Sequence, residues 1–322
     1  MYEAIKNFNQ QFLYEPEIVG EENLMKASSF IVVGMGGSAL AAKLLKTWKI
    51  ELDIIIRTDY GLPEMSIEEL KNKLIILSSY SGNTEEVIDA FGKAKEQNLN
   101  MAVIATGGEL LSLAKENNTP YIELPDMKTQ PRLALGLSLK AFLKFMGEES
   151  ELKKITELAT TLNPADSEEK GKTLAEKIKN YIPIIYSSTN NSSIAYNWKI
   201  KLNESAKIPA FYNVFPELNH NEMEGFDIRD TTRELSSRFC FIILKDEKDN
   251  SEIFKRMEVL EKLLKDRNFQ VEILKLGGKD TWHKIFSSLI LADWVSYYTA
   301  LGYEQDPEQI PMVEEFKKLI LE

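Results

Sequence analysis

Two short polar loops hold the residues whose types and spacing best suit chemistry. The segment Ile75-Ile76-Leu77-Ser78-Ser79-Tyr80-Ser81-Gly82-Asn83-Thr84-Glu85-Glu86 reads as a buried strand, a loop and a helix start. Ser79, Ser81 and Thr84 bring three hydroxyls into a short span, and Gly82 permits a backbone angle closed to other residues. Hydroxyls beside the unpaired N–H groups of a helix start form a neutral cradle for a phosphate dianion. The lysine of a nucleotide P-loop has no counterpart in this segment. Capping by Ser81 or Asn83 is the purely structural alternative, but a cap uses one side chain and leaves the other hydroxyls unexplained.

The second loop, Gly34-Met35-Gly36-Gly37-Ser38-Ala39, also follows a strand and opens a helix. Its glycines allow a sharp turn and bring amides close to an anion, so Gly36, Gly37 and Ser38 are candidate partners of the same phosphate. Gly34-x-Gly36-x-x-Ala39 also satisfies a loose dinucleotide fingerprint, with Asp53 and Asp59 near the distance of a ribose-binding acid. A tight structural turn is the plain structural alternative for these glycines. The hydroxyl-rich segment, which a dinucleotide site does not call for, tips the reading toward phosphate.

These loops need a scaffold. Short runs of Ile, Leu, Val and Ala at 30–34, 52–56, 74–78, 101–105 and 121–124 alternate with helical patterns at 38–48, 66–70, 85–97, 109–116 and 132–146. Such alternation predicts a parallel sheet covered on both faces. After a charged helical stretch at 147–180, read as a connection, the pattern returns. Strands are expected at 182–187, 239–244 and 270–274, helices at 193–206, 252–267 and 282–301, and a last helix after Pro307. The expected architecture is two α/β domains, residues 1–150 and 151–322, each a mainly parallel sheet flanked by helices and related by internal duplication.

Composition narrows the partners. The chain has 322 residues, 43% of them hydrophobic, with a formal charge of −11. That balance speaks against a broad nucleic-acid or anionic-membrane surface, which needs a positive field. It leaves room for a small anion bound by amides and hydroxyls. The lone cysteine, Cys240 between Phe239 and Phe241, reads as buried filler and suits a reducing cytosol. No apolar run approaches a membrane span, and the first residues lack a signal-peptide core, so a cytoplasmic location is expected. Two histidines, His220 and His283, exclude a three-histidine zinc site, and no compact carboxylate cluster suggests magnesium. No metal and no cofactor are expected.

The motifs GMGGS, SYSGNT, QPRLALG, LNESAK and PELNHNE, in this order from about residue 30 to the C-terminus, resemble those of the archaeal-type bifunctional phosphoglucose/phosphomannose isomerases. SSYSGNTEE itself is similar to the phosphate-binding segment of sugar isomerase (SIS) domains. The resemblance implies two SIS domains in a metal-free homodimer that interconverts glucose, mannose and fructose 6-phosphates. Aldose–ketose exchange through an enediolate requires a base, a cation for the developing oxyanion and a group that opens the sugar ring.

The resemblance assigns the base to Glu204, which spacing alone makes a solvated carboxylate opposite the core-facing Trp198, Leu202 and Ala206. It assigns ring opening to His220, reaching the neighbouring subunit's site, where position alone suggests a surface or capping histidine. Glu217 and Glu222 are candidates to orient it. Arg132, after the helix-starting Pro131, becomes the enediolate-stabilising cation; by itself it is as readily a surface arginine. Lys317 fits the register of a lysine that assists ring opening, with Lys318 beside it as the other candidate. His283 matches no catalytic motif and reads as a helix-start residue.

Glu308 and Gln309 stand where many relatives carry a threonine after Asp306-Pro307, which puts mannose 6-phosphate turnover in question. Leu137 and Phe226 replace larger aromatics. A non-catalytic sugar-phosphate sensor and an NAD(P)-dependent dehydrogenase are the competing classes; no basic helix-turn-helix segment accompanies the first.

Overall fold

Five short apolar runs become the parallel strands of one unit, Asn7–Leu162, in a computed structural model that describes residues 1–320. They are β1 Phe30–Gly34, β2 Ile54–Arg57, β3 Leu74–Ser78, β4 Met101–Ala105 and β5 Tyr121–Glu123, in the order β2-β1-β3-β4-β5. Phe30 pairs with Ile54 on one side and Leu74 on the other, so β1 and β3 end level with each other at Gly34 and Ser78. Alternation sends Ile31, Val33, Ile75, Leu77 and Val103 to one face, where Val87, Ala90, Phe91 and Ala94 of the Glu85–Glu96 helix cover them.

The second unit comprises Met1–Lys6 and Asn163–Glu322. Its strands, β6 Ile182–Ser188, β7 Phe211–Phe215, β8 Phe239–Asp246 and β9 Gln270–Leu276, are parallel in the order β7-β6-β8-β9. This repeats the order of the first four strands of the other sheet, in which each second strand lies outside the first and the chain then crosses to the other side. The core is aromatic: Phe226 meets Phe241 edge-on, with centroids 4.9 Å apart. The Thr281–Gly302 helix is buried along most of its length through Trp282, Phe286, Leu289, Trp294 and Val295.

The structure departs from the sequence reading in four places. The unit division falls between Leu162 and Asn163 rather than at 150/151, and Met1–Lys6 belongs to the second unit. Residues 147–180 are packed structure rather than a connection. Leu152, Ile155 and Leu158 bury the helices Glu149–Thr156 and Leu158–Thr161, and Leu174 and Ala175 bury Glu168–Lys177. β7 went unread because it is an edge strand: Phe211 and Tyr212 are exposed, so Phe-Tyr-Asn-Val-Phe lacks the continuous apolar character of a central strand. The single helix expected at 132–146 is instead a one-turn 3-10 segment, Pro131–Leu133, and an α-helix, Leu135–Phe145. Ala134 breaks it with non-helical angles (φ −99°, ψ 24°).

Gly171 shows how tightly the second unit packs. A Cβ there would lie 2.4 Å from Cβ of Trp294 and 3.2 Å from its carbonyl carbon, atoms that cannot swing away. Alanine in a helix interior gains about 1 kcal/mol over glycine, while overpacking a core costs about 1–3 kcal/mol. Gly171→Ala should therefore lower stability despite its better helix propensity. Urea denaturation should show a lower midpoint at unchanged m-value.

Candidate active site

The strand order makes one topological switch point in the Asn7–Leu162 unit, between β1 and β3. In open α/β sheets, ligands gather beyond the carboxyl ends of strands at such a point. Both polar loops leave from there. Ser38, in the first turn of the Gly36–Trp48 helix, accepts a hydrogen bond from the Tyr80 amide at 3.0 Å and so ties the two loops together. Ser79 is buried; its hydroxyl accepts from the Gly82 amide at 3.0 Å and lies 2.7 Å from the Thr84 hydroxyl. Ser81 is exposed and accepts from the Asn83 amide at 3.3 Å. Among the described residues, the amides of Ser81, Thr84, Glu85 and Glu86 donate to no protein acceptor. The loop thus offers the Ser81 and Thr84 hydroxyls and a helix N-terminus to an anion, with Ser79 bracing Thr84 from below.

Capping does not account for this loop. Thr84 is the N-cap of the Glu85–Glu96 helix and makes no side-chain cap. Asn83 turns away and accepts from the Glu109 amide at 3.0 Å, serving the next helix, Gly108–Glu116. Thr106 donates to the Tyr80 carbonyl at 2.7 Å. A Cβ on Gly82, where φ is +73°, would sit 1.8 Å from the Gly107 carbonyl oxygen. The loop after β4 is therefore a third wall of the site, which the sequence reading missed although Thr106-Gly107-Gly108-Glu109 marks it.

Arg132 belongs to the same corner. Gly37 packs against it so closely that a Cβ would lie 2.7 Å from Cβ of Pro131 and 3.0 Å from the Arg132 nitrogen. Arg132 is buried, with Nη1 3.4 Å from Gln130 Oε1. Gln11, unnoticed in the sequence, braces the break behind it: Nε2 donates to the Leu133 carbonyl at 2.6 Å and Oε1 accepts from the Gly136 amide at 3.1 Å. The structure thus gathers Gly36, Gly37, Ser38, Ser79, Ser81, Thr84 and Arg132 in one unit.

The other candidates lie in the second unit. Glu204 is the last residue of the Ser192–Glu204 helix and is half-buried. Trp198, Leu202 and Ala206 are fully buried at the anticipated spacing, and Trp198 Nε1 donates to Ser288 Oγ at 3.0 Å. One turn before Glu204, Lys201 forms a completely buried pair with Asp293 at 2.5 Å. Tyr196 and Tyr212 flank this region with ring centroids 5.2 Å apart. Burial, Tyr212 and the Glu204 charge together push the Tyr196 hydroxyl above its ordinary value.

His220 ends the one-turn segment Glu217–His220 and is exposed. Glu217 and Glu222 make no hydrogen bond to its ring. Glu217 accepts from Asn221 Nδ2 at 2.8 Å, and Glu222 accepts from the Tyr186 hydroxyl at 2.6 Å and from Asn213. Lys317 and Lys318 are exposed on the Pro311–Leu319 helix, with Lys317 3.0 Å from Glu314. Glu308 accepts a hydrogen bond from the N-terminal ammonium of Met1, and its amide donates to Asp306 at 2.8 Å. His283 lies in the first turn of its helix, its amide donating to Asp280 at 2.8 Å and its Nδ1 3.0 Å from the Ser287 hydroxyl.

Other chemistries find less support. Burial pushes the Cys240 thiol up to about 12, which leaves it an inert core group near neutral pH. Asp53 precedes β2, at the opposite end of the sheet from the Gly34 loop, and pairs with Lys73 at 3.2 Å. Asp59 pairs with Arg57 at 3.4 Å. The place of Asp53, before the strand, does not suit a ribose-binding acid. Among the described residues no three His, Cys, Asp or Glu side chains cluster as metal ligands, and no helix is long and apolar enough to cross a membrane.

The fold and these loops define a protein of the SIS class, and known proteins agree. The family model of the bacterial phosphoglucose isomerase C-terminal SIS domain matches residues 167–320. A solved structure of a hypothetical protein from Thermus thermophilus superposes with a TM-score of 0.68 at 17% identity, covering 99% of this chain and 87% of that one, a likeness of fold. The bifunctional phosphoglucose/phosphomannose isomerase of Aquifex aeolicus is 30% identical, over 99% of this chain and 97% of its own length. The protein of that name from Caldicellulosiruptor bescii is 31% identical over 100% and 99%. The chain belongs to the bifunctional phosphoglucose/phosphomannose isomerase family, a family of sugar-phosphate isomerases.

Gly82→Ala should break the loop that holds the hydroxyls, because it meets both the Gly107 carbonyl and a left-handed backbone angle. Strain of about 1–3 kcal/mol implies a loss of about 5- to 150-fold in affinity for a sugar-phosphate analogue. Isothermal titration with 5-phosphoarabinonate measures it.

Proposed function

We propose that this protein interconverts glucose 6-phosphate and fructose 6-phosphate, and also mannose 6-phosphate, without a metal ion. The observation that carries this reading is the lysine-free cradle of Ser81, Thr84 and unpaired amides at the β1/β3 switch point, fitted to a phosphate dianion. Family membership supplies the reaction class.

In this reading the cradle anchors the phosphate of the open-chain sugar. The Glu204 carboxylate takes the proton from C2 of the aldose and returns it to C1, while one hydroxyl proton moves from O2 to O1. The cis-enediolate between these steps carries negative charge, which the Arg132 guanidinium offsets; such fixed charge aimed at a developing oxyanion is commonly the largest catalytic contribution. His220 passes a proton between ring oxygen and anomeric hydroxyl to open the ring, with Lys317 assisting. Its exposure supports a role toward a second copy of the chain, so the working enzyme is proposed as a homodimer, in the cytoplasm.

Formation of glucose 6-phosphate from fructose 6-phosphate, followed in a coupled assay, should persist in EDTA. Glu204→Gln should lower kcat by about 10²–10⁴-fold, the usual contribution of a positioned acid–base group, while 5-phosphoarabinonate binding stays within a few-fold. Near-normal turnover in Glu204→Gln would require another base, and binding without conversion by the native chain would make it a sensor.

The dimer reading has its own test. Glu204→Gln and His220→Ala homodimers should each be nearly inactive. If His220 serves the neighbouring site, random mixing of the two should restore about a quarter of native activity, since half the dimers are mixed and each then has one intact site. No recovery despite proven subunit exchange would place His220 in its own chain's site.

A further inference from the structure

The segment that carries His220 is anchored on both sides of the imidazole. Two residues before it, Leu218 is fully buried in the cluster of Tyr186, Phe215 and Phe241. Two residues after it, the Glu222 carboxylate reaches back to the sheet: Oε1 accepts from the Tyr186 hydroxyl on β6 at 2.6 Å, and Oε2 accepts from Asn213 Nδ2 on β7. Asn221 closes the turn, accepting from the Glu222 amide at 2.6 Å and donating to Glu217 at 2.8 Å. Among the described residues, the His220 side chain, unlike those of Glu217, Asn221 and Glu222, makes no hydrogen bond within the chain.

We infer that Glu222 is a positioning residue for His220: it latches the 217–222 turn to β6 and β7 and thereby fixes where the imidazole stands. This rests on the reading of His220 as the ring-opening group. A one-turn 3-10 segment has too few internal hydrogen bonds to hold its own shape, so its placement must come from side chains. A carboxylate between two donors is well suited, because charge-assisted hydrogen bonds are shorter and about twice as strong as neutral ones. Burial and the Glu222 charge hold the Tyr186 hydroxyl far above its ordinary range, so it stays a donor wherever the enzyme works. The carboxylate points to the sheet while the histidine points to solvent. Glu222 therefore acts on the histidine through the backbone, without touching it.

The test uses the native homodimer and four variants, Glu222→Ala, Tyr186→Phe, His220→Ala and the double Glu222→Ala/His220→Ala. Each is assayed for kcat and KM with cyclic fructose 6-phosphate and for affinity toward the open-chain analogue 5-phosphoarabinonate. Misplacing a catalytic group by about 1 Å can cost about 10²-fold, so Glu222→Ala should lower kcat about 10- to 100-fold. Analogue affinity should stay within about threefold, and the double variant should be no slower than His220→Ala. Tyr186→Phe, which keeps the ring in the core and removes one donor, should lower kcat about 3- to 10-fold by the same displacement argument.

If Glu222→Ala does not fold, Tyr186→Phe carries the test through the same kcat and affinity split. Full activity in both latch variants while His220→Ala is impaired would overturn the latch and leave the reading of His220 standing. Losses that multiply in the double variant, or analogue affinity that falls with kcat, would also overturn it by showing a general structural role. Full activity in His220→Ala would overturn the latch and the ring-opening assignment together.

Discussion

β1 and β3 lie side by side while the chain leaves them in opposite directions, β2 to one edge and β4 to the other. This divergence opens a crevice beyond their carboxyl ends, into which helix N-termini and loop amides converge. The rest of the Asn7–Leu162 unit serves that crevice. Ser38 bonds the Tyr80 amide, Asn83 caps the helix beyond β4, and Gly82 and Gly37 let backbones approach closer than any side chain would allow. The amides left over at Ser81, Thr84, Glu85 and Glu86 are thereby held open toward the crevice.

The second unit repeats the strand order but fills its switch point differently. There, Lys284 donates to Asp246 at 2.6 Å and to Asn191 at 3.0 Å, and Asn191 in turn donates to Ser188 at 3.0 Å. Burial alone would raise the Asp246 carboxyl, but hydrogen bonds from Lys284 and the Lys248 amide hold it below its ordinary value. The crevice is closed by its own ion pair. One topology therefore carries an open anion cradle in one unit and a cluster of paired polar side chains in the other, and the side chains at the strand ends and on the helices beyond them make the difference. The second unit's proposed contributions come from elsewhere: Glu204 at a helix end and His220 on a braced turn.

Central strands were legible because burial on both faces demands continuous apolar residues, and β1, β3 and β4 begin and end where their composition changes. β7 was not, since its exposed edge relaxes that demand at Phe211 and Tyr212. The charged stretch at 147–180 looked like a connection because its buried residues, Leu152, Ile155, Leu158 and Leu174, are sparse among lysines and glutamates. Helical spacing of those few apolar positions was enough to pack it.

The sequence by itself determined the parallel α/β class, the two polar loops and the residue types suited to a phosphate and a proton transfer. These depend on local composition and on spacing along the chain, which folding does not alter. Only the tertiary structure decided which of those groups are already spoken for. It committed Asn83 to a neighbouring helix, Glu222 to Tyr186 and Asn213, Ser38 to Tyr80, and it added Gln11 and Gly107 to the site. Their partners lie in distant parts of the sequence, and hydrogen-bond partnership is settled by proximity in space, which no spacing along one strand or helix encodes.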